Sequence, residues 1–334
     1  MTTTLTRPRA SMPTPASPTS GGGGGGRPAN REALALTGRD YISHSQLASF
    51  RSCPRKFAFS YVEQAKPAFQ ASSLLFGSAM HAAFEAHFRA QLEGLKTDAG
   101  GLLHVFMDTW QAECEKAGVP GVPIRFNKNE DMSSLTSQAQ RMIEAFLVAP
   151  LSRPVGQIVG IEESFRVMLD PALPDVLARV DLVTQTPGSL HVVDLKTSRS
   201  RWTPERAAEG AEQLLLYGRT IRGMSQAVGL PVQLHFAVLT KNKKPQVQIL
   251  DVPCDESRLA AVRDTVASVW RAVRSGSGSS SGGGSGGGGG GYFANPSPMH
   301  CSLCPFRDRC PAFGGRASVT VPQAIPGTAD DLPI

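Results

Sequence analysis

The spacing of apolar residues changes along the chain and divides it into blocks. Around residues 76–95, 102–117 and 134–147 apolar positions recur every three to four residues, the period of a helix with one buried stripe. Upstream, Ser43-His-Ser-Gln46 has the form of a capping box and opens a helix carrying Leu47, Phe50 and Phe57 on one side. Cys53-Pro54 falls inside that helix, where the proline either kinks it or starts a new one at the cysteine. The pattern then shortens to strands over about 155–168, 176–184 and 190–194. Pro204 suits the first turn of a helix running to about 221. Strands over 232–239 and 246–252 follow, joined by the basic turn Lys241-Asn-Lys-Lys244, and Asp255 caps a final amphipathic helix to about 274. A helical block preceding a strand-rich one predicts an α/β (α+β) chain.

Composition sets the limits of this ordered part. Residues 1–40 are rich in Thr, Ser, Pro and Gly, with six glycines at 21–26, and are expected to form a disordered tail. Residues 275–291 contain only Ser and Gly and read as a flexible linker, with a random-coil span of roughly 20–25 Å. The expected organisation is therefore a tail at 1–40, a core at 41–274, the linker at 275–291, a cysteine-bearing segment at 292–313 and a second tail at 314–334. At 334 residues and 41% hydrophobic content the chain is long enough for a substantial core.

Charge changes the picture little. The formal net charge is +6, and Arg7, Arg9, Arg27, Arg31 and Arg39 against Glu32 and Asp40 leave +3 of it in the first forty residues. A polyanionic partner is permitted by this charge and not required by it. No run of about 18 apolar residues is present, which argues against a membrane span, and the first residues lack a hydrophobic signal core, which points to the cytoplasm.

The candidate chemistry lies in the strand-rich block. Asp194-Leu195-Lys196-Thr197 follows one apolar run and Asp181 lies in another, with a turn at 185–189 between them. Two strands joined by that turn bring both carboxylates to neighbouring positions. Residues i and i+2 of a strand share a face, so Asp194 and Lys196 project together while Leu195 faces the core. Paired hard oxygen ligands suit Mg²⁺ or Mn²⁺. A nearby ammonium group can orient water or neutralise charge developing on a phosphate. Taken one at a time, each of these residues has an ordinary reading as a solvated turn or edge residue.

Cysteine usage adds a second centre. Cys301-x2-Cys304-x5-Cys310 places three soft ligands within ten residues, one short of a tetrahedral thiolate site, and Cys53 is the best fourth candidate. Cys114 and Cys254 read as small core residues. Spacing alone leaves [4Fe–4S] and Zn²⁺ both open, and either would tie the first helix to the last segment.

These residues together resemble the PD-(D/E)XK nucleases of the RecB type, including CRISPR-adaptation exonucleases. Gly77-Ser-Ala-Met-His81 resembles the first-motif helix, Ala178-Arg-Val-Asp181 the G-x-x-D motif, Asp194-Leu-Lys196-Thr197 the D-x-K-T motif, and Gln213-Leu-Leu-Leu-Tyr217 the Q-x-x-x-Y motif. The four cysteines resemble the split iron–sulfur ligand set of the subgroup. Ala178 departs from the pattern by standing where glycine is usual.

The resemblance spans about residues 41–313. It implies a restriction-endonuclease-like core, with a mixed central sheet flanked by helices, an N-terminal helical part and a cysteine segment joining the two ends. It further implies that His81, Asp181 and Asp194 bind Mg²⁺ or Mn²⁺, with the Leu195 carbonyl available as a further ligand. Lys196 would stabilise charge at phosphorus, and Gln213 and Tyr217, on one helical face, would contact DNA or hold the lysine. Glu162 and Glu163 read mainly as solvated edge residues, with an outer-ligand role open to one of them.

The implied cofactor at the cysteines is [4Fe–4S], with Zn²⁺ as the alternative. The implied function is metal-dependent DNA exonuclease action on single strands or ends, in repair, recombination or related processing. A non-catalytic DNA-binding subunit is the competing reading, and a cysteine-cluster redox protein would leave the acids and the lysine unexplained. No Walker-type Gly-x4-Gly-Lys-Ser/Thr run occurs, so a helicase motor would have to come from a partner.

Overall fold

A computed structural model describes residues 26–117, 121–277 and 291–314. The expected tails at 1–25 and 315–334, and most of the Ser/Gly linker, lie outside the described residues. The chain opens with α1 (Pro28–Thr37), β1 (Tyr41–Ser43), α2 (His44–Ser52) and α3 (Pro54–Phe57). There follow β2 (Gln70–Ala71), α4 (Ser72–Leu92), α5 (Ala99–Ala117), β3 (Ile124–Arg125) and α6 (Met132–Val148). The strand-rich half comprises β4 (Gln157–Val167), β5 (Asp175–Gln185), β6 (Leu190–Ser198), α7 (Pro204–Glu209), α8 (Glu212–Val228), β7 (Val232–Thr240) and β8 (Val247–Val252). It ends with α9 (Glu256–Ser277) and α10 (Pro298–Ser302).

The sheet runs β1-β5-β6-β7-β8, with β4 also paired to β5. It is mixed: β4/β5, β5/β6 and β7/β8 are antiparallel, whereas β1/β5 and β6/β7 are parallel. Alternation along the strands feeds two cores. Leu190 and Val192 of β6 join α8 and α9 residues such as Leu214, Val266 and Trp270 on one side. Val193 and Leu195 join Phe76, Phe84, Phe106, Met142 and Phe146 of α4, α5 and α6 on the other. Each large side chain buried this way contributes about 1.5–3 kcal/mol. This helix–sheet–helix arrangement is the one expected.

Three local differences have physical causes. Residues 28–37 form a helix where a disordered tail is expected. Pro28 opens it, Gly38 closes it in the left-handed region at φ 71°, and Asn30 exchanges hydrogen bonds with Asp175 at the start of β5. The surrounding Gly-rich composition hides these local signals. Pro54 begins a new helix rather than kinking one, with Cys53 between the two in extended conformation. The single helix expected from Pro204 is two, α7 and α8, separated at Gly210-Ala211.

Candidate active site

Strand pairing places the acids. β5 and β6 pair antiparallel with Leu182 opposite Val193. β6 runs on to Ser198, past its expected end at Asp194, so Asp194 sits inside the sheet, as Asp181 does in β5. They are 4% and 1% exposed. Asp181 Oδ2 accepts a hydrogen bond from the Leu195 amide at 2.6 Å, which locks the two strands' acids together.

Two further elements complete the site. α4 buries one face on the sheet, and His81 stands half-buried at the margin of that face. Its Nδ1 lies 3.4 Å from Asp181 Oδ1 and 3.7 Å from Glu162 Oε1. The β4/β5 register, Ile161 with Leu182 and Glu163 with Val180, sets Glu162 opposite Asp181. Glu162 reaches this position with a left-handed backbone (φ 51°), unusual for a residue with a Cβ, and its side chain is only 7% exposed. His81, Glu162 and Asp181 thus offer ligand atoms all within 4.8 Å of one another.

This grouping differs from the expected trio of His81, Asp181 and Asp194. Glu162 joins His81 and Asp181 in the tightest grouping, while the buried Asp194 has its Oδ2 2.7 Å from Lys196 Nζ as an ion pair. Burial pushes the Asp194 carboxyl up to about 6, against the opposing pull of Lys196. Burial acts the same way on Asp181, but the His81, Lys196 and Leu195 groups prevail and hold it below the usual range. At His81, burial opposes the charged ring, yet the Asp181 and Glu162 carboxylates outweigh it and raise the pKa to about 10.

Two buried carboxylates, one of them kept from ionising at its ordinary pKa, mark a site short of positive charge. The hard donor set of His81, Glu162 and Asp181 fits a divalent cation.

The expected lysine and helix residues form one chain. Lys196 Nζ donates to Gln213 Oε1 at 2.7 Å, and Gln213 Nε2 donates to the Tyr217 hydroxyl. Gln213 and Tyr217 are buried one turn apart on α8. Their contacts hold the lysine. The Tyr217 hydroxyl is pushed well up by burial and then by Asp194, so it stays protonated.

Residues 41–311 match the family model described as the PD-(D/E)XK nuclease superfamily. The chain belongs to this superfamily. Comparison with curated proteins finds no match. Among solved structures, a candidate exonuclease from Eubacterium rectale aligns at 16% identity, over 73% of this chain and 84% of that one, with a TM-score of 0.46. The protein SSO0001 aligns at 12% identity, over 80% and 95%, with a TM-score of 0.30. No described helix is long and apolar enough to cross a membrane.

Sequence reading placed His81, Asp181, Asp194, Lys196, Gln213 and Tyr217 in one site, and the fold gathers them. It undervalued Glu162. A lone glutamate in a strand carries no signal of its own, and its approach to His81 depends on a backbone conformation that no local motif announces.

The four cysteines also converge. Cys53, Cys301, Cys304 and Cys310 line one cleft of about 340 Å³, counting its open mouth, with Phe59 and Arg307 among its walls. The C-terminal segment is tied down by Arg55 N–H to Phe293 O and Ala68 N–H to Pro305 O, and by stacking of Phe306 on Phe59. Backbone amides of Asn295 and Ser297 donate to the sulfurs of Cys53 and Cys301. Cys114 and Cys254 stand apart from the cleft, as expected.

Proposed function

We propose that this protein is a metal-dependent DNA exonuclease hydrolysing phosphodiester bonds. The observation that carries this reading is the convergence of His81, Glu162 and Asp181 beside the buried Asp194–Lys196 pair. Asp181, Glu162 and the neutral imidazole of His81 would hold Mg²⁺ or Mn²⁺. Asp194, with one oxygen paired to Lys196, would contribute to holding the same ion, and the Leu195 carbonyl would be available as a further ligand. A divalent ion at this place supplies an activated water and neutralises phosphate charge.

The chain's own residues do the rest. Lys196 presents its ammonium group to the phosphate undergoing attack, where charge develops. Gln213, braced by Tyr217, and Asp194 together fix the direction of that group. Burial of both aspartates in the sheet excludes bulk water and strengthens each of these interactions.

We assign the cysteine cleft to a [4Fe–4S] cluster rather than Zn²⁺. What supports a four-thiolate group there is the convergence of Cys53, Cys301, Cys304 and Cys310 on one cleft, and the resemblance of their split spacing to the iron–sulfur subgroup favours the cluster. Its role would be architectural, joining α2 and α3 to the C-terminal segment. Single strands or DNA ends are the inferred substrate, and repair, recombination or related processing the inferred setting, with any helicase supplied by a partner.

The test is cleavage of 5′- and 3′-labelled single-stranded and duplex DNA with Mn²⁺, Mg²⁺ or EDTA, beside Asp194→Ala. Progressive shortening from one end, abolished by EDTA and by the substitution, is expected. DNA left intact with every divalent ion would overturn the proposal. A brown protein absorbing near 400 nm is expected of the cluster; a colourless one with stoichiometric zinc would reverse that assignment.

A further inference from the structure

One charged group at the mouth of the site takes no part in the scheme above. Arg179 Nε donates to Glu162 Oε2 at 2.6 Å. Its side chain is 46% exposed, whereas that of Glu162 is 7% exposed. Arg179 and Asp181 are two apart on β5 and so share a face of the strand. The register places Arg179 opposite Ser164, which makes it the diagonal cross-strand neighbour of Glu162. The guanidinium therefore covers, from the solvent side, the same carboxylate whose other oxygen faces His81.

Among the described residues the bond to Glu162 is made through Nε only. Among the described residues the two terminal nitrogens make no hydrogen bond, and with Nε they form the planar fork that suits phosphate oxygens. In the absence of a cation, Arg179 and His81 flank Glu162 with positive charge, one at each carboxylate oxygen. A divalent ion engaging Glu162 and Asp181 brings two positive charges to two carboxylates, which leaves the guanidinium surplus at the rim.

We infer that Arg179 is a metal-released phosphate clamp: it neutralises Glu162 while the cation site is empty, and on cation binding its guanidinium transfers to a substrate phosphate. This rests on the nuclease reading and extends it to a positioning residue. It couples the order of binding, because the ion that completes the site also frees the arginine that receives the strand. The guanidinium half of the pair is open to solvent, which weakens the pair and puts the exchange within reach of a bound phosphate.

The experiment compares Arg179→Ala, Arg179→Lys and the parent chain, each carrying Lys196→Ala to block cleavage. Mn²⁺ affinity is measured by calorimetry without nucleic acid. Binding of a fluorescent single-stranded oligonucleotide is measured with and without Mn²⁺ over a range of salt.

Without Mn²⁺, all three are expected to bind the oligonucleotide alike. With Mn²⁺, the parent gains affinity, and its slope of log K against log salt steepens by about 0.7, one phosphate contact on a single strand. Arg179→Ala binds Mn²⁺ roughly two- to fivefold more tightly, matching loss of a weak competing pair, and lacks the gain in oligonucleotide binding. Arg179→Lys keeps the parent's Mn²⁺ affinity and recovers only part of the gain.

Equal loss of oligonucleotide binding with and without Mn²⁺ would overturn the exchange and make Arg179 a permanent contact. So would an Arg179→Ala protein identical to the parent in every arm. Failure of the nuclease reading is distinguishable: there the parent binds no Mn²⁺, and the chain with Lys196 intact leaves DNA uncut.

Discussion

The molecule's two candidate centres are assembled in opposite ways. The acid–histidine site is built on long strands: Asp181 and Asp194 sit in β5 and β6, held by ladder register and by the Leu195 amide. The cysteine cleft is built on short pieces, an extended residue between two helices and turns of three to five residues near the C-terminus. In the first, the sheet positions the ligands before any ion arrives. In the second, few regular hydrogen bonds fix the sulfurs, so the proposed cluster would supply much of the order. One centre is preorganised by the fold, and on the proposed reading the other would be a cross-link that helps to make it.

This contrast can be broken by experiment. Asp181→Asn should lower DNA cleavage by roughly 10²–10³-fold, the scale of losing one preorganised electrostatic contact, while thermal denaturation shows little change. A collapse of stability in that variant would mean that the acid supports the sheet rather than the chemistry. Lys196→Arg should abolish most activity yet keep Mn²⁺ binding measured by calorimetry, since the bulkier fork cannot replace a compact ammonium.

Cys53→Ser should do the reverse. Loss of the visible chromophore is expected, with destabilisation of about 4 kcal/mol, comparable to opening a long cross-linked loop. The corresponding fall in Tm is roughly 10 °C, read by calorimetry or circular dichroism. A Cys53→Ser protein of unchanged Tm would remove the architectural role.

Gln213→Ala is a finer probe. Lys196 would lose its second anchor and be held by Asp194 alone, so kcat should drop about tenfold, the value of about 1.4 kcal/mol, with KM nearly unchanged in steady-state assays. The smallest effect concerns His87, far from both contrasting chemistries in role. It is buried against Phe88 and Phe146, with Nδ1 at 2.6 Å from Thr97 Oγ1 and Nε2 at 2.9 Å from the Ser152 carbonyl. Burial lowers its pKa. The unfolded chain takes up a proton below about 6.5 before the folded one does. Stability from this group is therefore complete above that pH and is lost as pH falls toward the folded value. Urea denaturation of His87→Gln at pH 7.5 and 5.5 should show a smaller loss on acidification than the parent.

Much of the site could be read from the order of residues because strands and helices have fixed periods. Asp194 and Lys196 share a face through the two-residue repeat, and Gln213 and Tyr217 through the helical one. The capping box at Ser43-Gln46 is present as expected, with Gln46 returning to the Ser43 amide at 2.7 Å. The break at Gly210-Ala211 and the helix at 28–37 were less legible. The first lies inside a continuous helical pattern, and the second is stabilised by a strand almost 150 residues away through Asn30 and Asp175.

What the chain determines locally is its periodicity: which stretches coil, which extend, and which acids, amide and lysine lie a repeat apart. Only tertiary structure could choose Glu162 as the neighbour of His81, set Arg179 over it, and bring Cys53 to a segment some 250 residues on. Side chains distant in sequence meet through strand register and packing of layers. Those depend on the sum of many weak contacts across the molecule, which no short window of residues contains.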